Sequence, residues 1–324
     1  MKRFISLGAL TAIVAVLIGG AVRAADLTVA HYGSLLQGAP YAIAMEKGFF
    51  KEAKLPIDGI SAGKGGGDTV RAVLASEIKF GEAGVGAVLA ARSKGVDVVI
   101  VSAAVSGETD MYWLVKNDSP IKSINDLKGK RVGYTNPNSG SDMLGRMVWK
   151  RAGIAPDSFT LIATGGLREG ITMLGQGAID AMPVIEPIAT RLSSQFRPAF
   201  AFGDYVPSMT QTVGFAQRGW LEKNGDLVRG IIAARRKAVE AIYADPKAAA
   251  AIIAKTHALE PAIAETVTAK FAKVRYWSLG DFDRAGLDAN IEGLELINAA
   301  EGRGVDWNQL IDQGYLPADL KKQL

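Results

Sequence analysis

The sequence predicts an α/β protein with two lobes, each built around a mostly parallel sheet. Short apolar strands alternate with helical segments along much of the 324 residues. This order gives parallel sheets with helices on both faces. Glycine turns follow several of the strands, at 33–34, 63–67 and 84–86. A later segment also repeats the spacing of an earlier one, with Gly166 in the place of Gly65, which indicates two lobes built on one plan.

The first 24 residues have the features of a cleavable export signal. Lys2 and Arg3 precede an almost wholly apolar run from Phe4 to Ile18, and small residues lead to Ala24. This order is typical of a secretory signal, and the apolar run is short for a membrane span. We therefore expect cleavage after Ala24 and a mature protein in the periplasm. An uncleaved membrane anchor is the alternative.

Composition limits the classes of function. Because the chain has no cysteine, it can form neither disulfides nor a lipid-modified N-terminal cysteine. The net charge of +4 arises largely from three basic residues within the predicted signal. The mature chain is close to neutral, so its charge gives no support for nucleic-acid binding. A mature chain of about 300 residues is long enough to form two lobes.

After the signal, the order of elements divides the chain into three parts. Residues 25–112 carry the first βαβα run and begin lobe 1. Residues 113–210 carry a second run of the same kind and form lobe 2. Residues 211–324 open with a strand that returns to lobe 1 and continue as alanine-rich amphipathic helices. We interpret these helices as a cover that completes lobe 1.

The glycine stretch at 61–67 is the most informative local feature. A turn without side chains precedes a helix there, so backbone N–H groups can approach an anion or a dipole. A phosphate-binding P-loop is excluded because Asp68 follows the last glycine, where Lys and then Ser or Thr are required. The dinucleotide-binding spacing fails at the same residue. We expect Asp68 and Thr69 to cap the helix, and a tight turn without a ligand is the alternative.

Four phrases of the sequence resemble the periplasmic solute-binding proteins of nitrate, sulfonate and taurine type. These proteins serve ATP-binding cassette (ABC) importers, and some relatives bind thiamine-precursor pyrimidines. The phrases lie at 38–50 (GAPYAIAMEKGFF), 70–81, 115–132 and 177–187. The resemblance covers most of the mature chain. It implies the type II periplasmic-binding-protein fold, with a solute held in a cleft between the lobes and delivered to a permease and its ATPase subunits.

The resemblance also implies which positions line the cleft. They are Gly33, Ser34, Gln37, Gly65, Gly66, Asp68, Gly84, Val85, Gly86, Asn136, Asn138, Ser139, Gly140, Ser141 and Glu186. We expect the turns at 65–68 and 136–141 to close on opposite sides of one small polar solute, anionic or zwitterionic. On this interpretation, Gly66→Val crowds the turn against the solute, and strain that destabilises the fold is the alternative. Ser139 and Ser141 can bond to the solute or only cap the following helix. Glu186 can either bind an ammonium group or complement a helix dipole, and the sequence leaves both open.

The sequence offers no identifiable catalytic set. His31 follows the first strand, but no cysteine or neighbouring histidine is available to form a nucleophile and base pair. No group of His and carboxylate residues has metal-ligand spacing. We therefore expect a monomeric binding protein without a cofactor rather than an enzyme. Two alternatives remain: an enzyme of the pyrimidine-synthase type, against which the absence of cysteine counts, and a sensory module that presents its solute to a receptor.

Overall fold

The computed structural model describes residues 25–107 and 110–324, so the predicted signal at 1–24 lies outside the described residues. Its strands are β1 (Ala25–Ala30), β2 (Ile57–Gly63), β3 (Phe80–Gly84), β4 (Val98–Ser106), β5 (Met111–Lys116), β6 (Arg131–Tyr134), β7 (Thr160–Ala163), β8 (Met182–Ile185), β9 (Phe196–Ala201) and β10 (Thr210–Gln217). Its helices are α1 (Ala39–Glu46), α2 (Phe49–Glu52), α3 (Gly66–Ala75), α4 (Val85–Ser93), α5 (Gly140–Arg151), α6 (Leu167–Gly175), α7 (Ile188–Arg191), α8 (Arg218–Leu221), α9 (Gly225–Ala244), α10 (Pro246–Thr256), α11 (Pro261–Lys273), α12 (Arg284–Leu296) and α13 (Trp307–Leu310). None of these helices is both long enough and apolar enough to span a membrane.

The sheet of lobe 1 has the strand order β2-β1-β3-β10-β4. Strand β1 lies parallel to β2 and β3, whereas β10 enters between β3 and β4 in the antiparallel direction. Strand β4 reads VVIVSAAVS, and all but its last residue are buried. Such a continuous buried run is typical of a strand covered on both faces. Because β10 follows lobe 2 in the chain, lobe 1 is assembled from two separated parts of the sequence.

Lobe 2 repeats this arrangement. Its strands pair as β8-β5-β9 and β6-β7, and a parallel bridge between Val132 and Ala181 joins the two groups into the order β7-β6-β8-β5-β9. Strand β5 is antiparallel to both of its neighbours, as β10 is in lobe 1. The prediction of an α/β fold with two mostly parallel lobes is confirmed. The exact residue boundaries between the lobes, at 112/113 and 210/211, remain a prediction.

The internal repeat seen in the sequence joins equivalent elements of the two lobes. Gly65 is the N-cap residue of α3, and Gly166 is the N-cap residue of α6. Both are extended, with φ of −175° and 178°, and neither provides a side-chain cap. Each helix then leads to the strand at the third position in the spatial strand order of its lobe, β3 or β8. The weak sequence echo therefore reflects a shared architecture.

The predicted capping of α3 is wrong. The helix begins at Gly66, two residues before the expected cap, because Gly66 and Gly67 both adopt helical geometry. Asp68 consequently lies within the first turn, where it is exposed and pairs with Arg71. The Thr69 hydroxyl donates to the Gly65 carbonyl at 2.8 Å instead of accepting from an amide. The start of α3 is therefore left without a side-chain cap.

Helix α9 packs the returning part of the chain onto lobe 1. Its buried residues recur at helical spacing and include Val228, Ile231, Ile232, Val239 and Ile242. Arg235 lies among them and is only 3% exposed. A buried guanidinium in this position requires a counter-ion and hydrogen-bond acceptors.

Glu82 on β3 supplies the counter-ion. Arg235 Nε lies 3.2 Å from Glu82 Oε2, and the other Arg235 nitrogens donate to the carbonyls of Ser278 and Ala104 at 2.8 and 2.6 Å. The Thr212 hydroxyl of β10 donates to the remaining Glu82 oxygen at 2.9 Å. Burial raises the pKa of Glu82, and the charge of Arg235 opposes that rise. This network joins β3, β4, β10 and α9.

Breaking this pair should destabilise the protein strongly. Arg235→Met leaves the Glu82 carboxylate buried without its counter-ion, which should cost about 3–5 kcal/mol of unfolding free energy. Combining it with Glu82→Gln should recover part of that loss, because no buried charge then remains. The matched control is Arg229→Met on the same helix, where the ion pair with Asp226 is exposed. Urea unfolding curves for the three variants test this expectation, and an Arg235→Met curve that coincides with the control would contradict it.

Candidate functional site: the cleft between the lobes

The carboxyl ends of the parallel strands meet at one edge of each lobe. In lobe 1, Ala30 pairs with Gly63, and the amide of the next residue, His31, donates to the Gly63 carbonyl at 2.9 Å. In lobe 2, Tyr134 pairs with Ala163, and its carbonyl accepts from the amide that follows β7 at 2.8 Å. The turns that follow these strands therefore lie together. Ligands bind at this edge in open α/β sheets.

Two helices of lobe 1 begin at this edge without a side-chain cap. The N-cap residues are Gly65 for α3 and Gly84 for α4. The helix starts are adjacent, because a Cβ placed on Gly66 would come within 2.5 Å of the Ala87 Cβ. The first amides of a helix have no intrahelical acceptor, and the helix dipole favours negative charge beside them. Lobe 1 therefore presents two neighbouring sets of amide donors.

The glycines at the starts of α3 and α4 have different roles. A Cβ on Gly66 would meet Ala87 of α4, so this glycine permits close packing of the two helices. The added side chain of Gly66→Val would press on α4, which favours strain and loss of stability as the effect of this substitution, and its effect on the solute stays a prediction. A Cβ on Gly65 or Gly86 would instead meet nothing within 4 Å among the described residues. Those two positions border open space.

Two other predicted residues of lobe 1 have side chains that are already engaged elsewhere and do not face the open space beside Gly65 and Gly86. Asp68 is exposed, and its carboxylate is engaged with Arg71. Val85 is the first residue of α4, but its side chain is 1% exposed and packs in the core. Only the backbone of Val85 can therefore contribute to a site.

The turn after β1 contains the remaining predicted residues of lobe 1. Gly33 has a φ of +76°, a left-handed conformation that favours glycine. The Ser34 hydroxyl donates to the His31 carbonyl at 2.9 Å, which holds the turn closed. Gln37 is 8% exposed, and its Oε1 has no hydrogen-bond partner in the part of the chain that the structure describes. Burial lowers the pKa of His31 and favours its neutral form.

The corresponding turn of lobe 2 is closed by its own hydroxyl groups. Ser139 is the N-cap residue of α5, and its Oγ accepts from the Asp142 amide at 3.3 Å. The Ser141 Oγ accepts from the Thr135 amide at 2.9 Å and lies 3.0 Å from the Ser139 Oγ. Gly140 begins the helix between the two serines. Both hydroxyls already bond within the turn. They can contact a solute only through donor or acceptor positions that these bonds do not use.

The asparagines of this turn also bond within lobe 2. Asn136 Nδ2 donates to the Gly165 carbonyl at 3.3 Å and ties this turn to the one after β7. Asn138 has a φ of +61°, and its amide donates to the Asp142 carboxylate at 2.9 Å. Asp142 therefore places a carboxylate of the protein itself at the start of α5, where the helix dipole favours negative charge. In lobe 2 this carboxylate accepts from an amide of the turn, whereas Asp68 in the first turn of α3 is exposed and pairs with Arg71.

Glu186 follows β8 and has a defined set of partners. It is 2% exposed, and its Oε2 accepts from the Thr190 amide in the first turn of α7 at 3.0 Å. Its Oε1 accepts from the Thr190 hydroxyl at 3.0 Å and from Lys270 Nζ at 2.9 Å. Of the two roles left open by the sequence, these contacts favour the helix cap. Its place in the solute site stays a prediction.

Lys270 is a residue that sequence reasoning missed. It lies on α11 of the helical cover, and its ammonium reaches Glu186 and sits 3.9 Å from the centroid of the Tyr112 ring. Burial acts to lower the pKa of Lys270, but the hydrogen bonds and charges of Tyr112 and Glu186 outweigh it and raise the pKa. No local sequence pattern marks this lysine, because its role arises from the packing of α11 beside lobe 2.

Asp110 forms a second polar centre where the chain passes between the lobes. It is 2% exposed, and its two oxygens accept from Tyr276 Oη at 2.9 Å and Gln211 Nε2 at 3.2 Å. Its backbone carbonyl accepts from the Glu186 amide at 2.8 Å. Burial raises the pKa of Asp110 to about 6, the hydrogen bonds oppose the rise, and the charge of Glu186 adds to it.

The raised pKa of Asp110 makes stability depend on pH. A carboxyl group that binds its proton more tightly when folded favours the folded state at low pH, and this contribution is lost as pH rises from about 4 to about 6. The change should amount to about 3 kcal/mol at most. Asp110→Asn should flatten the profile of unfolding free energy in that window. The control Asp118→Asn removes an exposed carboxylate and should keep the parent slope. Equal slopes in both variants would contradict the assignment.

The two lobes, the crossing strands and the cleft edge define the fold of the periplasmic binding proteins. The periplasmic aliphatic sulphonate binding protein SsuA from Escherichia coli superposes with a TM-score of 0.72 at 21% identity, covering 92% of this chain and 100% of that one. The alkanesulfonate-binding protein SsuA from Xanthomonas axonopodis pv. citri, bound to MOPS, gives 0.66 at 18% identity, covering 90% and 96%. At these identities the likeness establishes the fold.

Sequence comparison establishes the family. Residues 36–249, more than half of the chain, match the family described as NMT1/THI5 like. A putative binding protein of Brucella abortus (strain 2308) is 30% identical over 231 residues, 69% of each chain. The chain belongs to the NMT1/THI5-like family, and its resemblance to nitrate-, sulfonate- and taurine-type binding proteins is confirmed.

Two further relatives differ in their named functions. A putative aliphatic sulfonates-binding protein of E. coli (strain K12) is 27% identical over 171 residues, so the chain matches about half of that relative's length (52%). A 4-amino-5-hydroxymethyl-2-methylpyrimidine phosphate synthase of Saccharomyces cerevisiae is 25% identical over 221 residues, 64% of each chain. The relatives therefore include both binding proteins and an enzyme.

Proposed function

We propose that this protein is exported, captures a small anionic or zwitterionic solute in the cleft between its lobes, and delivers it to an ABC importer. The observation that carries the proposal is the pair of uncapped helix starts in lobe 1 at the cleft edge. Amide donors without side-chain acceptors suit an anionic group such as a sulfonate. Relatives named as binding proteins of sulfonates, and the fold shared with them, support this choice.

The two lobes would have different tasks. The amides at 65–68 and 84–87 of lobe 1 would hold the anionic group, because no internal side chain caps them. The turn at 136–141 of lobe 2 would close over the solute with the remaining hydrogen-bonding capacity of its serine and asparagine side chains. Gly33, Ser34 and Gln37 would border the same space. Glu186 would act mainly through the position of α7.

A thermal-shift screen is the direct test of this function. The compounds are alkanesulfonates, taurine, nitrate, small carboxylates and thiamine-precursor pyrimidines. A ligand at 100 times its Kd should add about 2.7 kcal/mol to the free energy of unfolding. We expect at least one anion to stabilise the protein and to remain chemically unchanged. Absence of any anionic hit would contradict the proposal, and conversion of a hit to product would favour the synthase-type alternative.

Methyl groups placed at the open glycines should weaken binding. Gly65→Ala and Gly86→Ala add a Cβ beside the amide donors, in space that no described residue occupies. Gly65 is extended, so alanine fits its backbone. We expect each substitution to raise the Kd about tenfold, equivalent to about 1.4 kcal/mol, with little change in melting temperature. Calorimetry with the best hit of the screen measures the effect.

The matched control is Gly219→Ala. A Cβ there makes only an ordinary 3.6 Å contact with Gln217, at the start of α8 and away from the cleft edge. Its Kd should equal that of the parent. If Gly65→Ala and Gly86→Ala also bind like the parent, the solute does not lie against the starts of α3 and α4.

A further inference from the structure

Two ion pairs connect the lobes beside the cleft. Helix α11 packs in the core of lobe 1 through residues such as Phe271, and α7 packs in a core of lobe 2 through Ala189. Between these helices, Lys270 Nζ lies 2.9 Å from Glu186 Oε1. Arg191 of α7 lies 3.5 Å from the carboxylate of Glu260, the N-cap residue of α11. We call these two pairs the α7–α11 seam.

The two pairs differ in environment. Glu186 is 2% exposed, so separating it from Lys270 would leave a carboxylate with only its Thr190 contacts in a poorly solvated position. The Lys270 ammonium also lies over the ring of Tyr112, a residue of β5 in lobe 2. The Arg191 to Glu260 pair is exposed on both sides and is weaker. The contacts of Lys270 and the Arg191 to Glu260 pair cross between the lobes, whereas the Thr190 contacts of Glu186 lie within lobe 2.

The seam is connected to the crossing segments. The Glu186 amide donates to the backbone carbonyl of Asp110, where the chain enters lobe 2. The Asp110 carboxylate in turn accepts from Tyr276 and from Gln211, and Gln211 belongs to the strand β10 that returns to lobe 1. Glu186 is therefore bonded to the segment that enters lobe 2, while Lys270 reaches it from α11, which packs on lobe 1. A motion that moves α11 away from α7 would separate Lys270 from Glu186.

We propose that the α7–α11 seam is a charged latch that holds the lobes closed and prolongs the residence of the solute, with Lys270 as its main positioning residue. The solute named in this inference depends on the proposed function, whereas the closure of the lobes does not depend on it. An interaction that exists only in the closed state stabilises that state alone and slows release of whatever the cleft contains. The latch belongs to the protein and does not require contact between Lys270 and the solute.

The first test measures the separation of the lobes without solute. Because the chain has no cysteine, Lys51→Cys in lobe 1 and Lys128→Cys in lobe 2 allow site-specific spin labelling at two exposed positions. The test variant is Lys270→Met with Glu186→Gln, which removes the pair without leaving a buried charge. We expect its distance distribution to shift to longer separations and to broaden relative to the parent. An unchanged distribution would overturn the proposal.

A charge swap at the exposed pair keeps the test valid if the first variant folds poorly. Arg191→Glu or Glu260→Arg alone places like charges across the seam and should speed dissociation of butanesulfonate about fivefold. The double swap should restore the parent rate, and 0.5 M salt should reduce the differences. The control swaps Lys237 and Glu52, an exposed pair within lobe 1, and should have no effect. Equal rates in single and double swaps would contradict a latch.

These measurements separate the two proposals. If butanesulfonate and the other anions fail to bind while the label distances still change with the seam, the latch stands and the proposed function fails. If the anions bind and neither distances nor dissociation rates respond, the function stands and the latch is wrong.

Discussion

The buried ion pair between Glu82 and Arg235 is the interaction on which the rest of the structure depends. Its members are 153 positions apart in the chain, and all of lobe 2 lies between them. A carboxylate on β3 cannot remain charged inside lobe 1 without a counter-ion, and that counter-ion arrives only after the chain has returned through β10. The pair therefore couples completion of lobe 1 to the return of the chain.

The same pair positions the cleft. Glu82 lies two residues before Gly84, where β3 ends and α4 begins, so fixing the carboxylate also fixes the start of α4. Its hydrogen bond from Thr212 holds β10 beside β3, and the neighbouring Gln211 reaches Asp110 at the crossing into lobe 2. Stability of the sheet, placement of the amide donors and geometry of the crossing segments are thus linked through adjacent residues of two strands.

Sequence reasoning predicted what depends on local pattern and failed where geometry depends on tertiary packing. The spacing of apolar residues and glycines along the sequence predicts the order of strands and helices and the glycine turns. It also predicts the correspondence of Gly65 with Gly166. The cap assigned to Asp68 failed because glycine allowed the helix to start earlier. The role of Gly66 depends on the approach of Ala87. Lys270 could not be found, since its partner Glu186 lies 84 positions away on the other lobe.

The central claim is that the solute binds against the uncapped helix starts of lobe 1 and that lobe 2 closes over it. Amide hydrogen exchange with and without the best anionic ligand measures this directly, residue by residue. The account predicts that saturating ligand slows exchange most at the amides of 65–68 and 84–87, with weaker protection at 136–141. Protection that is absent from the two lobe 1 segments, while the ligand is bound, would contradict it.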